Sequence, residues 1–338
     1  DLAREAREQN GASRARLDPR DGRVIIDGSA LVRALSRRTG LPEALLRCDQ
    51  QLDLAGLRQQ LGERIIGQPE GADAACDLVA RIRGGLTDGG RPCAVYLFTG
   101  STGTGKTEMA KAIAEYLYGS TSRLVRFDMA ELTDPDAAAR LVGDRLRPRG
   151  ELVERVLQQP FCVLLLDEIE KAHPAVLNLL LQLFDDGRLT DASGTTADFG
   201  HVAVIMTSNL GSRARAPAGF AEPDDFMASE VARAVKDFFP PELFNRIDRV
   251  VPFRPLGREA ARRIAAKELA QLLGRRGLVE RNVFVHPTAR VLERVVEQGF
   301  DPLHGARPLR RYLEQQVGSL LADEISAYNL RRPVVLKF

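Results

Sequence analysis

Five short apolar runs punctuate the middle of the chain: AVYLFT (94–99), LVRFDM (124–129), CVLLLDE (162–168), VAVIMTSN (202–209) and RVVPF (249–253). Between them, apolar residues recur at helical spacing. A run that is apolar at nearly every position, rather than at every second one, suits a strand buried on both faces, as inside a parallel sheet. The alternation predicts a doubly wound α/β domain: a central parallel five-stranded sheet flanked by helices. Upstream, SALVRALSRRTGLPEALL has helical spacing and a Gly-Leu-Pro stop. The stretch DLAGLRQQLGERIIGQPEGADAACDLVARIRGGL predicts two helices around RIIGQ. Residues 1–22 are polar and charged, and a short helix followed by a weakly ordered loop is expected there. From PLGREAARRIAAKELAQLL onward the pattern is mostly helical, with short strands at VFVH and PVVLKF, which predicts a smaller, mostly helical α/β domain.

Composition narrows the function classes. The 338 residues suffice for two or three domains, and 44% hydrophobic with 28% charged residues is an ordinary globular mix. A net charge of +2 gives no global drive toward nucleic acid or anionic membranes. No apolar run approaches the roughly 20 residues that span a bilayer, and no signal-peptide pattern is present. Cys48, Cys76, Cys93 and Cys162 are far apart without paired spacing, which fits a reduced cytoplasmic protein better than a disulfide scaffold or a zinc site. The chain begins at Asp1, as a fragment of a longer protein would, so its start carries no targeting argument.

Candidate chemistry starts at residues 100–107. Gly100, Ser101, Thr102, Gly103, Thr104, Gly105, Lys106 and Thr107 match G-x-x-x-x-G-K-[ST] between a predicted strand and a predicted helix. Glycines let successive backbone N–H groups point at a phosphate, and the helix adds its positive N-terminal end. Lys106 is expected on the β- and γ-phosphates and the Thr107 hydroxyl on Mg²⁺. Asp167 and Glu168 end the strand CVLLLDE, at the carboxyl edge where α/β sheets bind ligands. Asp167 suits Mg²⁺, directly or through water, and Glu168 suits the base that polarises the attacking water. None of the six lysines follows an asparagine, so the base-reading Asn-Lys-x-Asp of GTPases is absent and ATP is the expected nucleotide.

With GERIIGQ, GSTGTGKTE, LLLDEIEKAHPAVLNLLLQLFDDGRLTDASG, VIMTSNLGS, PPELFNRID and GARPLRR in this order, the sequence resembles the AAA+ ATPases, and among them the second, C-terminal ATPase module of Clp/ClpB-type chaperones. The likeness spans roughly residues 30–338. It implies a linker segment from a preceding region over 1–48, an AAA+ large nucleotide-binding domain over 49–254 and a small C-terminal domain over 255–338. Asn209 would be the sensor that orients the lytic water, and Arg246 an arginine finger reaching a neighbouring subunit's γ-phosphate. Arg307 would be the second sensor, and Ile65 and Ile66 would line the adenine pocket. A finger in trans implies a ring, usually a hexamer, acting on protein substrates.

Two stretches depart from the family pattern. Peptide-threading members carry an aromatic loop before the acidic strand. Here, residues 139–160 read ARLVGDRLRPRGELVERVLQQP, and 128–160 contain no aromatic residue. Arg145, Arg147 and Arg149 stand in that region instead. This leaves open a module that grips acidic or polar partners, one that acts as a switch or scaffold without threading, or a plain solvated turn. Ala218-Gly219-Phe220 is a poor match to the loop by which some Clp ATPases dock a protease, so a protease partner has weak support. A nucleic-acid motor is opposed by the charge and by the Clp-like DDGRLTDASG run.

Overall fold

The computed structural model describes residues 15–17, 24–26, 28–47, 52–211, 223–280, 283–302, 304–327 and 334–337. The first described elements depart from the expected loop: β1 (Ala15–Leu17) and β2 (Val24–Ile26) pair antiparallel, while the short helix expected before them falls on residues 1–14, outside the described residues. Helices α1 (Gly28–Thr39), α2 (Glu43–Leu46), α3 (Leu54–Arg64) and α4 (Pro69–Arg83) follow, the last two flanking RIIGQ as the pattern predicts. Asp53 caps α3 through Gly56 N–H at 2.8 Å, and α4 opens with Pro69, whose missing N–H costs nothing at a first turn.

The large lobe then alternates strand and helix: β3 (Ala94–Thr99), α5 (Lys106–Tyr118), β4 (Leu124–Asp128), α6 (Ala137–Val142), α7 (Glu151–Gln158), β5 (Val163–Asp167) and α8 (Pro174–Asp186). A small antiparallel hairpin of β6 (Arg188–Thr190) and β7 (Thr196–Asp198) precedes β8 (Ala203–Ser208). Then come α9 (Pro223–Phe238), α10 (Pro241–Phe244) and β9 (Arg249–Pro252). The five-stranded sheet has the order β4-β5-β8-β3-β9, and every pairing in it is parallel.

Every residue of β3, β5 and β8 is buried, which explains why their sequences are continuously apolar. The period of two survives underneath. Val95, Leu97, Leu164, Leu166, Val204 and Met206 face one core with α7 and α8. Tyr96, Phe98, Val163, Leu165, Ala203 and Ile205 face another with α4 and α5. Two cores on one sheet fix its strands in place, so that all the strand ends present one common carboxyl edge.

The small lobe contains α11 (Arg258–Leu273), α12 (Arg276–Val279), β10 (Val283–His286), α13 (Ala289–Gly299), α14 (Arg307–Tyr312), α15 (Ser319–Ala327) and β11 (Val334–Lys337). β10 and β11 pair in parallel. Its own core packs Ala261, Ala265 and Leu269, one face of α11, against Val295, Val296, Leu309 and Leu313. Ala218-Gly219-Phe220 lies outside the described residues. Among the described residues, no helix is long and apolar enough to cross a membrane.

Candidate functional site

A cleft of about 640 Å³ opens at the carboxyl edge of the sheet, between the two lobes. It is lined by residues 102–107, by Asp167, Glu168 and Asn209 from the strand ends, by Ile65 and Ile66, and by Arg307 from the small lobe. Each was singled out from the sequence. Gly100 and Ser101 complete the turn from β3 and hold Lys106 from below.

Lys106 opens α5, yet its side chain folds back into the turn. Its Nζ donates to Gly100 O (2.5 Å), Ser101 O (2.9 Å) and Asn209 Oδ1 (3.1 Å). Burial pushes its pKa down to about 8, against the opposing pull of Glu170, Asp167 and Glu168. Gly103 shows why this turn needs glycine. Its φ is +76°, and a Cβ there would lie 2.2 Å from His304 O. The small lobe thus touches the phosphate turn directly: Ala306 N–H donates to Gly103 O at 3.1 Å. That contact brings the first residue of α14, Arg307, to the cleft, exposed and without an ion partner among the described residues.

Asp167 is buried at the end of β5, accepting from the Thr207 hydroxyl of β8 and pairing with Arg126 of β4 at 2.7 Å. Glu168 has φ +57° and ψ +52°, the one positive φ among the described non-glycine residues. Such a backbone costs of order 1–3 kcal/mol and persists only where surroundings impose it. Here the Glu168 N–H donates to Thr207 Oγ1 at 3.0 Å, and its half-buried carboxylate pairs with Lys171. Asn209 follows β8, its backbone N–H donating to Glu170 Oε1 at 3.0 Å. Glu170 Oε2 and Ser101 Oγ are buried without a hydrogen-bond partner among the described residues.

Ile65 is buried in the core beneath the turn, and Ile66 joins Leu256 and Ile264 as the cleft's apolar wall. Arg246 does not line the cleft. It follows α10, is half-exposed, and pairs with Asp185 of α8. Sequence reasoning missed Arg126, Glu170 and Thr207. Arg126 and Thr207 lie inside quoted strand runs and Glu170 three residues past Asp167, but no local pattern marks a strand residue as a neighbour of a carboxylate on another strand.

The donor set suits a metal–nucleotide complex: buried oxygen donors for a hard cation, backbone N–H groups and a lysine for phosphates, an apolar wall for a base. The comparisons agree. Residues 91–250 match the family model described as "AAA domain (Cdc48 subfamily)", and residues 256–336 match "C-terminal, D2-small domain, of ClpB protein". Over 301 residues the chain is 42% identical to chaperone protein ClpB of Bacillus anthracis, covering 87% of this chain and 34% of that protein. Against ClpB of Vibrio cholerae the identity is 41% over 308 residues, covering 89% and 36%. The chain thus spans about a third of the length of the curated relatives it matches. The solved S. cerevisiae Hsp104-ADP complex superimposes with a TM-score of 0.77 at 30% identity, over 93% of this chain and 55% of that one. The sheet, the phosphate turn and both matched segments together make this chain a member of the Clp/ClpB family of AAA+ ATPases, corresponding to its second ATPase module.

Proposed function

We propose that this chain binds ATP with Mg²⁺ in the interlobe cleft and hydrolyses it as one subunit of a ring, a hexamer by family likeness, that remodels protein substrates. The observation that carries this is the convergence of Lys106, Asp167 and Asn209 at one sheet edge, with Arg307 delivered there by the other lobe. We take residues 49–254 as the nucleotide-binding domain, 255–338 as the small domain and 1–48 as the tail of a linker. The separate cores of the two lobes support the boundary after 254, while Leu41 of the first segment packs into the core of the large lobe.

Lys106 binds the β- and γ-phosphates, exchanging its carbonyl partners for them, while the turn's N–H groups hold the remaining oxygens. Thr107 and Asp167 are the residues that would hold Mg²⁺, which supplies charge neutralisation on the phosphates. Asp167 meets that role already oriented by Thr207. Glu168, released from Lys171, takes a proton from the attacking water, and Asn209 orients that water. Ile65 and Ile66 give the adenine an apolar wall. Arg307 contacts the γ-phosphate in cis, so cleavage of the terminal anhydride bond removes a bond between lobes and changes their angle. Arg246, on the surface beside Asp185, suits a finger offered to a neighbour's cleft. A cytoplasmic location fits the free thiols of Cys76, Cys93 and Cys162.

Glu168→Gln tests the assignment. It should bind ATP with wild-type affinity by calorimetry yet lose about 10²–10⁴-fold in turnover. Hydrolysis at the wild-type rate would remove Glu168 as the base. Stimulation of wild-type hydrolysis by an unfolded protein, and not by DNA, is the expected mark of a remodeller.

A further inference from the structure

The edge strand β4 and its neighbour β5 end on facing carboxylates. Their parallel register sets Asp128 directly opposite Asp167, and like charges placed so repel. Arg126 stands between them. It lies two residues before Asp128, and therefore on the same face of β4. Its Nη2 is 2.7 Å from Asp167 Oδ2 and 3.6 Å from Asp128 Oδ2. All three residues line the nucleotide cleft.

Each of the two carboxylates has one oxygen committed elsewhere. Asp167 Oδ1 accepts from the Thr207 hydroxyl, and Asp128 Oδ1 accepts from Ala130 N–H at 3.0 Å. The second oxygen of each faces the same guanidinium. The neighbouring acids are engaged differently: Glu168 pairs with Lys171, and Glu170 Oε1 accepts from Asn209 N–H. Asp167 is buried, whereas the Arg126 side chain is 49% exposed, so the acid is fixed and the arginine has room to pivot. The backbone beneath it stays put, because the β4–β5 ladder and the Arg155 guanidinium, which donates to Arg126 O at 3.2 Å, hold it. A guanidinium and a divalent cation on one carboxylate oxygen would repel strongly at such short range. The neutral Thr207 hydroxyl meets no such conflict.

We propose that Arg126 is an exchangeable counter-ion of Asp167: it holds the carboxylate while no metal is bound and crosses to Asp128 when Mg²⁺ takes that oxygen. This rests on the assignment of Asp167 to Mg²⁺ made above and deepens it. Arg126 is a positioning residue in this scheme. It keeps Asp167 compensated and aimed into the cleft, and Asp128 offers the displaced arginine a second carboxylate close by. Because metal and arginine compete, Arg126 limits how tightly the metal–nucleotide complex is held, which favours release of the product. An arginine that merely bridged two strands would leave metal affinity unchanged. One that acted only through its distant charge would make the effects of Arg126 and Asp128 simply add.

The test is titration calorimetry of ADP on the full chain, once with Mg²⁺ and once with EDTA in its place. The ratio of the two Kd values is the gain that the metal supplies, and by linkage it equals the gain in metal affinity that the nucleotide supplies. The wild-type chain should show a gain, and Asp167→Asn should lose it. Arg126→Gln should raise the gain about two- to fivefold, as loss of one partly exposed competing ion pair would. Arg126→Lys keeps the charge and should stay near wild type. Asp128→Asn can still accept from Ala130 N–H, yet should lower the gain because the arginine has lost its second partner. In the Arg126→Gln background the same Asp128→Asn change should have little effect. The proposal falls if Arg126→Gln leaves the gain unchanged or lowers it, or if Asp128→Asn lowers it equally with and without Arg126. Either result, with the gain lost in Asp167→Asn, counts against the exchange alone. A full gain in Asp167→Asn, or no gain in the wild type, removes Asp167 as a metal-holding residue and the exchange with it.

Discussion

At the scale of single residues, Lys106 shows how burial tunes a charge for one task. Three oxygen partners hold its ammonium group while burial pushes its pKa down to about 8. The unfolded chain keeps a lysine protonated up to about 10.4. Between about pH 8 and 10.4 the unfolded state binds more protons, so this residue makes stability rise with pH across that window. Nucleotide binding has the opposite sign, because only the ammonium form attracts phosphate. Without Mg²⁺, the Kd for ADP should therefore rise as pH passes about 8, and titration calorimetry across pH 6.5–9.5 would show it. A flat profile would mean that phosphate contact does not use this charge. Lys106 was legible in the sequence because its motif is contiguous. Glu170, its strongest electrostatic counterweight, was not, because that pairing arises only when β8 lies between β3 and β5 and brings their ends to one edge.

Between elements, the contact that matters most joins the turn after β3 to the segment before α14. Gly103 and residues 304–306 pack backbone to backbone, with no side chain able to yield. Gly103→Ala combines a disfavoured φ with a clash against His304 O, and should destabilise by at least about 1–3 kcal/mol in urea unfolding. Gly62→Ala is the counterpart. Gly62 lies inside α3 with nothing within 4 Å of an added Cβ, so it should stabilise by about 0.5–1 kcal/mol through helix propensity. Equal effects from the two substitutions would mean that the lobes are not docked through this turn. The motif alone explains the glycine by phosphate approach. The fold adds a second reason, the backbone of the other lobe.

For the whole molecule the decisive question is where Arg246 acts. It stands away from its own chain's cleft, paired with Asp185 on the surface. A finger used in trans makes activity depend on assembly, and hence on protein concentration. Arg246→Ala should bind ATP nearly normally and lose roughly 10³–10⁵ in rate, less if Arg307 holds part of the charge. Lys106→Ala should lose nucleotide binding but keep its own finger. Mixing these two inactive variants should restore part of the ATPase once light scattering has shown that they co-assemble. Co-assembly without recovery would place Arg246 in cis or outside the chemistry.

The sequence by itself determined whatever rests on neighbours along the chain. Continuous apolar runs set the buried strands, contiguous glycines and Lys106 set the phosphate turn, and acids at a strand end set the edge where they would act. The readings of strand and turn hold because backbone conformation and burial period are local properties. Only the tertiary structure decided what depends on residues far apart. Among these are the strand order, which brings Thr207 and Arg126 to Asp167, and the separate faces of strands that look uniformly apolar. The β1–β2 pairing in a polar stretch belongs here too, as does the hairpin that props residues 143–150 outward. Each is fixed by hydrogen bonds and packing across long loops, whose energies no single segment contains.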